Sequence, residues 1–118
     1  MRSFYYLSSC DSCKRIMETL SLDTSINKID IKKNPLNVSQ LEELHAISGS
    51  YEVLFSKRAQ LYKQRDLKNK ILSEEIVKEL LLEHYTFLKR PVLIYDKILF
   101  IGNSAAVIAK VKAFLDEQ

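Results

Sequence analysis

Apolar and polar positions along the chain follow changing periods, and each change marks an element. Phe4 to Leu7 is a short, aromatic-rich apolar run that predicts a buried first strand. After Ser8-Ser9, residues 11–20 place Cys13, Ile16, Met17 and Leu20 on one side at helical spacing, which predicts a helix with a single apolar face. From Ile26 to Ile31 the period shortens to alternation: Ile29 and Ile31 share one face, Lys28 and Asp30 the other, as in a second strand. Pro35 breaks the chain.

The middle of the sequence returns to helical spacing. Val38, Leu41 and Leu44 predict a helix that stops near Ser48-Gly49, with the glycine as its cap. Tyr51 to Phe55 and Lys57 to Gln64 suit two shorter helical pieces. Ser73 has the character of an N-cap, followed by Glu74 and Glu75 where the helix dipole favours acids. Leu72 and Val77 stand at the positions of a hydrophobic staple, and Ile76, Val77, Leu80 and Leu81 form the expected buried face. Beyond Arg90-Pro91, Val92 to Tyr95 and Ile98 to Ile101 flank Asp96-Lys97, the pattern of a β-hairpin. Gly102-Asn103-Ser104 then opens a last helix with Val107, Ile108, Val111, Phe114 and Leu115 on one stripe. The predicted order is β-α-β, a helical block, then β-β-α. It gives an α/β fold of thioredoxin-like topology, with a four-stranded mixed sheet flanked by helices. The whole of 1–118 reads as one domain with a helical insertion over about 36–88.

Composition narrows the class. An apolar fraction of 47% with 28% charged residues is that of an ordinary globular chain. No apolar run approaches the roughly 20 residues of a membrane-spanning helix. The first residues lack the apolar stretch of a signal peptide, so no membrane association and a cytoplasmic location are the expectations. The net charge of +3 is small for a nucleic-acid binder, and no direct nucleic-acid contact is expected. Lys57, Arg58, Lys63, Arg65, Lys68 and Lys70 form a basic stretch, either a solvated surface or a site for a small anion with Arg58 as its best residue.

The chain has two cysteines, Cys10 and Cys13, in a C-x-x-C. A structural zinc would need two more ligands, and His45 and His84 are neither close in sequence nor in a zinc-binding spacing, so no metal is expected. A C-x-x-C after a strand and at the start of a helix reads instead as a redox or nucleophilic thiol site. Only the thiolate attacks. Cys10 stands where unpaired helix amides and the dipole favour an anion, and Lys14 adds a cation in the first turn. Cys10 is therefore the expected nucleophile. Cys13 lies on the apolar stripe and should be shielded, either as a resolving thiol or simply as core packing.

The segments Tyr5-Tyr6-Leu7-Ser8-Ser9-Cys10-Asp11-Ser12-Cys13-Lys14, Phe55-Ser56-Lys57-Arg58, and Leu88-Lys89-Arg90-Pro91 with Phe100-Ile101-Gly102 resemble, in order and spacing, those of the arsenate reductase/Spx family. The resemblance spans nearly the whole chain, and it is closer to the C-x-x-C, Spx-like branch than to the dedicated arsenate reductases. It implies a thioredoxin fold with a helical insertion and a cis bond before Pro91. By the same resemblance, Cys10 matches the cysteine that attacks arsenate, and Arg90 matches an oxyanion-holding arginine. Arg58 sits at the Spx-like position, and Gly102 stands where a third arginine would be.

Two functions follow from this resemblance. The first is a thiol-dependent oxidoreductase in which Cys10 attacks an oxyanion such as arsenate, or a disulfide. Cys13, glutathione or a glutaredoxin-like partner would then resolve the intermediate, with Arg58, Arg90 and Lys14 binding the anion and no cofactor held by the chain itself. The alternative is a non-enzymatic Spx-like regulator that binds RNA polymerase and senses oxidation through its C-x-x-C.

Overall fold

The computed structural model describes residues 2–118. The chain folds into two compact units, one of Met1–Asn34 with Arg90–Gln118, the other of Pro35–Lys89.

The first unit is built on a four-stranded sheet. Strand β1 is Arg2–Tyr6, helix α1 is Asp11–Leu20 and strand β2 is Asn27–Asp30. After the second unit come β3, Val92–Tyr95, and β4, Ile98–Ile101. The strand order is β2-β1-β3-β4, with β1 parallel to β2 and antiparallel to β3. Helix α5, Ala105–Asp116, closes the unit. This is the mixed α/β sheet expected from the alternation of periods.

One sheet face is covered by α1 and α5. Phe4, Leu93 and Tyr95 point into a core with Leu20, Ile26 and Val111, and Ile16, Met17 and Phe114 pack against it. Alternation along each strand explains the set, since Phe4 and Tyr6 share one side of β1 and Leu93 and Tyr95 one side of β3. Each such apolar side chain, fully buried, contributes roughly 1.5–3 kcal/mol. The hairpin turn falls on Asp96-Lys97 as predicted, and Asp96 takes the positive φ of 56° that such turns need. Ser104 caps α5 by accepting the Val107 amide at 3.2 Å.

Strand boundaries shift slightly from the expectation. Strand β1 stops at Tyr6 rather than Leu7, because the Leu7 carbonyl turns to accept the Cys10 amide at 3.0 Å. Strand β2 ends at Asp30, and its alternation is misleading at that end. Lys28 is exposed as expected, whereas Asp30 is buried, with 6% of its surface accessible. A polar face inferred from alternation fails here because the carboxylate finds backbone donors to pair with.

The second unit is helical. Helix α2, Val38–Ser48, begins with a reciprocal capping box between Asn37 and Gln40. It ends at Gly49, whose φ of 75° is open to glycine without a Cβ penalty. A 3-10 turn covers Glu52–Leu54. Helix α3 is Gln60–Gln64, so Lys57 and Arg58 lie in loop rather than helix; the Ser56 hydroxyl there accepts the Arg58 amide at 3.3 Å. A further 3-10 turn at Leu67–Asn69, with Leu67 buried, was not anticipated by the pattern. Helix α4 is Glu74–Glu83, capped by Ser73, which accepts the Ile76 amide.

The expected buried face of α4 needs one correction. Val77 and Leu81 are buried and Leu80 partly so, but Ile76 is 39% exposed. The buried line follows Val77 and Leu81 at i, i+4, and Ile76 lies about a quarter-turn away from it. Glu74 does more than complement the dipole. Its carboxylate accepts the Tyr51 and Glu52 amides at 2.8 and 3.0 Å, tying α4 to the start of the 3-10 turn at Glu52–Leu54. Phe55 and Phe87 stack at 5.3 Å, and Phe55 and Leu88 form a β-bridge that ties the middle of the unit to its C-terminal end.

Candidate active site

The site lies where β1 gives way to α1. Leu7 leaves the strand, and the bond from the Cys10 amide to the Leu7 carbonyl makes Leu7–Cys10 a tight turn. Cys10 is the N-cap of α1, with extended φ and ψ of −97° and 111°, and its carbonyl accepts the Lys14 amide at 3.2 Å. The thiol therefore projects beside the first helical amides, which have no partner inside the helix. Cys10 is half-buried, and both cysteines are free thiols.

The two sulfurs are pushed in opposite directions. Burial works against ionising Cys10, but it is outweighed: the Cys13 amide and thiol, the Arg90 charge and the Ser12 amide together hold the Cys10 thiol below its ordinary range. Cys13 is buried, and burial pushes it up to about 11. The Leu7 amide and Arg90 favour its thiolate, whereas the hydrogen bond and negative charge of Cys10 oppose it. At neutral pH the pair is thus an anion-prone outer sulfur accepting from a protonated inner one. Cys13 also lies on the apolar side of α1 with Leu20, where the helical spacing puts it.

Arg90 reaches this site from the other strand pair. It precedes Pro91 through a cis peptide bond, as the family resemblance implied, and Pro91 is buried at the start of β3. The Pro91 carbonyl accepts the Gly102 amide at 2.9 Å. Arg90 is the cation whose charge acts on both sulfurs. Lys14 is exposed on the first turn of α1, next to the exposed Asp11. The structure thus brings Cys10, Cys13 and Arg90 together. Arg58 belongs to the second unit and is exposed in its loop.

One residue of this region escaped sequence reasoning. Asp30, at the end of β2 beside Tyr6 of β1, directs its Oδ1 at the Ser8 amide (3.4 Å) and the Lys32 amide (3.1 Å). The signal available was an aspartate opening a polar segment that ends in Asn34-Pro35, where Asp commonly bonds its own backbone two residues on. Among the described residues, no group of three or more His, Cys, Asp or Glu side chains is placed to hold a metal. None of the described helices is long and apolar enough to cross a membrane.

The ArsC family model matches residues 5–111. Among solved structures, the chain is similar to a possible arsenate reductase from Streptococcus mutans. The two are 30% identical over 84% of this chain and 87% of that one, with a TM-score of 0.64. It is also similar to an arsenate reductase related protein from Brucella melitensis, at 24% identity, 89% and 88% coverage and a TM-score of 0.68. An arsenate reductase from Vibrio cholerae shares the fold at 16% identity, with 93% and 96% coverage and a TM-score of 0.74. No curated protein sequence matches the chain.

Proposed function

The chain belongs to the ArsC family, and from that premise we propose that it is a thiol-dependent oxidoreductase whose nucleophile is Cys10 and whose resolving thiol is Cys13. The observation that carries the reading is the opposed pair of sulfurs under one guanidinium: Cys10 below its ordinary range, Cys13 pushed up to about 11, Arg90 acting on both. An isolated core cysteine would have no reason to be flanked by amides and a cation that favour its anion.

With a disulfide substrate, the Cys10 thiolate bonds one sulfur and the other leaves as a thiolate. Cys13 then attacks the Cys10 Sγ, forming the internal disulfide and releasing the second substrate thiol. With a tetrahedral oxyanion such as arsenate, Sγ bonds the central atom while a protonated oxygen leaves as water. Attack by Cys13 on Sγ then leaves the S–As electron pair on arsenic, which is reduced to arsenite as the two sulfurs are oxidised. In both routes an external thiol reductant, such as glutathione with a glutaredoxin, restores the dithiol. Arg90 offers charge-assisted donors to an anionic substrate.

The two steps are ordered by electrostatics. The Cys10 charge and its hydrogen bond are among the causes that hold Cys13 protonated. Once Cys10 is covalently capped, both vanish, while the Leu7 amide and Arg90 still favour a Cys13 thiolate. Burial, the largest cause, remains, so the first step brings the Cys13 thiol only part of the way back toward its ordinary range, in the direction that favours its attack.

The test is a coupled assay of NADPH consumption with glutathione, glutathione reductase and glutaredoxin, run with arsenate and separately with a small aliphatic disulfide. Turnover with at least one substrate, reduced in Cys10→Ser to the level without protein, is the expected result. No turnover above that level with either would overturn the reading. Turnover with only one of them assigns the substrate class.

A further inference from the structure

Asp30 is a buried carboxylate that none of the steps above uses, and its contacts converge on the turn that carries the nucleophile. Its Oδ1 faces the amides of Ser8 (3.4 Å) and Lys32 (3.1 Å), and its own carbonyl accepts the Asn34 amide at 2.8 Å. The amide of the next residue, Ile31, donates to the Tyr6 carbonyl at 2.9 Å. Asp30 therefore ties the loop leaving β2 to the loop leaving β1. Residues 7 and 8 are where this matters. The Leu7 carbonyl holds the Cys10 amide, the Leu7 amide favours the Cys13 thiolate, and Ser8 is the next link of the same turn.

We propose that Asp30 is a positioning residue for the Cys10 nucleophile: by fixing the Ser8 amide from the neighbouring strand, it holds the Leu7–Cys10 turn so that the thiol meets the first amides of α1 and the guanidinium of Arg90. A sulfur favoured by short-range donors is sensitive to small displacements, because hydrogen-bond strength falls steeply with distance and angle. A buried carboxylate left without its amide donors is costly, so the arrangement is self-consistent only with the Ser8 loop in place. Ser8, Lys32 and the charge of Lys33 all favour the ionised carboxylate in that position. The charged or titratable groups about the thiol itself are Cys13 and Arg90, with Asp11 and Lys14 exposed on the first turn.

This inference rests on Cys10 being the activated thiol, and the test separates the two. The probe is iodoacetamide, and the reading is the pH dependence of Cys10 alkylation in a Cys13→Ser background, which leaves one reactive sulfur. Asp30→Asn keeps an Oδ1 that can accept both amides, whereas Asp30→Ala removes the acceptor. Ser8→Pro removes the donor and leaves the carboxylate. The expected result is an unchanged inflection in Asp30→Asn. In Asp30→Ala and Ser8→Pro the inflection rises, with a several-fold slower reaction below it. If Asp30→Ala does not fold, the contrast between Asp30→Asn and Ser8→Pro carries the test. Inflections that stay put in every variant overturn the proposal. So does a fall in both Asp30 variants, which would mean that the carboxylate acts only as a repelling charge. An unmodified protein whose Cys10 already titrates at an ordinary value, about 8.5, overturns the functional reading instead.

Discussion

The two ends of one sheet each carry an arginine and an aspartate, and they use them differently. At the hairpin end, Arg2 meets Asp96 at 3.4 Å and lies over the Tyr95 ring at 4.1 Å; the side chains of Arg2 and Asp96 are 38% and 57% exposed. At the other end, Asp30 is buried against backbone amides, and the half-buried Arg90 acts on two sulfurs. Charges paired in solvent gain little, because water screens both and the long side chains must be held still. Charges set against amides and a thiol in a half-buried turn are screened less. The same residue types therefore decorate one end and, in the proposed function, position the thiols at the other.

The contrast is broken most directly by replacing the two aspartates. Asp30→Ala strips the part-buried Ser8 and Lys32 amide bonds of their acceptor and is expected to cost about 1 kcal/mol. Asp96→Asn, which removes the charge but keeps a side chain that tolerates the turn's positive φ of 56°, should leave the unfolding midpoint nearly unchanged. Urea unfolding of both variants checks this, and an equal loss in the two would erase the distinction between the ends.

A second comparison uses the arginines. Arg90→Ala removes a charge that favours the Cys10 thiolate, so Cys10 alkylation at neutral pH should slow several-fold. Arg2→Ala should not alter it. A smaller effect concerns stability at high pH. Cys13 is raised in the folded state to about 11, so between its unfolded value, about 8.5, and that point the native chain holds a proton the unfolded chain has lost. Stability contributed by this group is therefore full below the lower value and declines as pH rises through the window. Thermal unfolding at stepped pH should show that decline, flattened in Cys13→Ala.

Much of the scaffold was legible because its signals are local. The hairpin about Asp96-Lys97, the caps at Ser73 and Ser104 and the apolar stripes of α1 and α5 each depend on residues a few positions apart. The C-x-x-C at a strand-helix junction likewise located both sulfurs, and the Cys13 stripe correctly implied burial. What stayed hidden depends on partners distant in sequence. Asp30 looks like the polar side of β2, and only the neighbouring β1 loop turns it into a buried acceptor. Glu74 shows the same lesson, since nothing near it in sequence announces the Tyr51 and Glu52 amides it accepts. Ile76 errs in the other direction: the helical pattern counted it as core, but the buried line of α4 runs through Val77 and Leu81.

Cys10 and Cys13, separated by one helical turn, are a low and a high thiol. Titrating the ultraviolet absorbance of thiolate in the unmodified protein, Cys10→Ser and Cys13→Ser tests it most directly. The expected result is a first thiolate forming below the ordinary value of about 8.5, missing in Cys10→Ser, and a second near 11, missing in Cys13→Ser. A first step at or above the ordinary value, or one that disappears with Cys13 instead of Cys10, would contradict it.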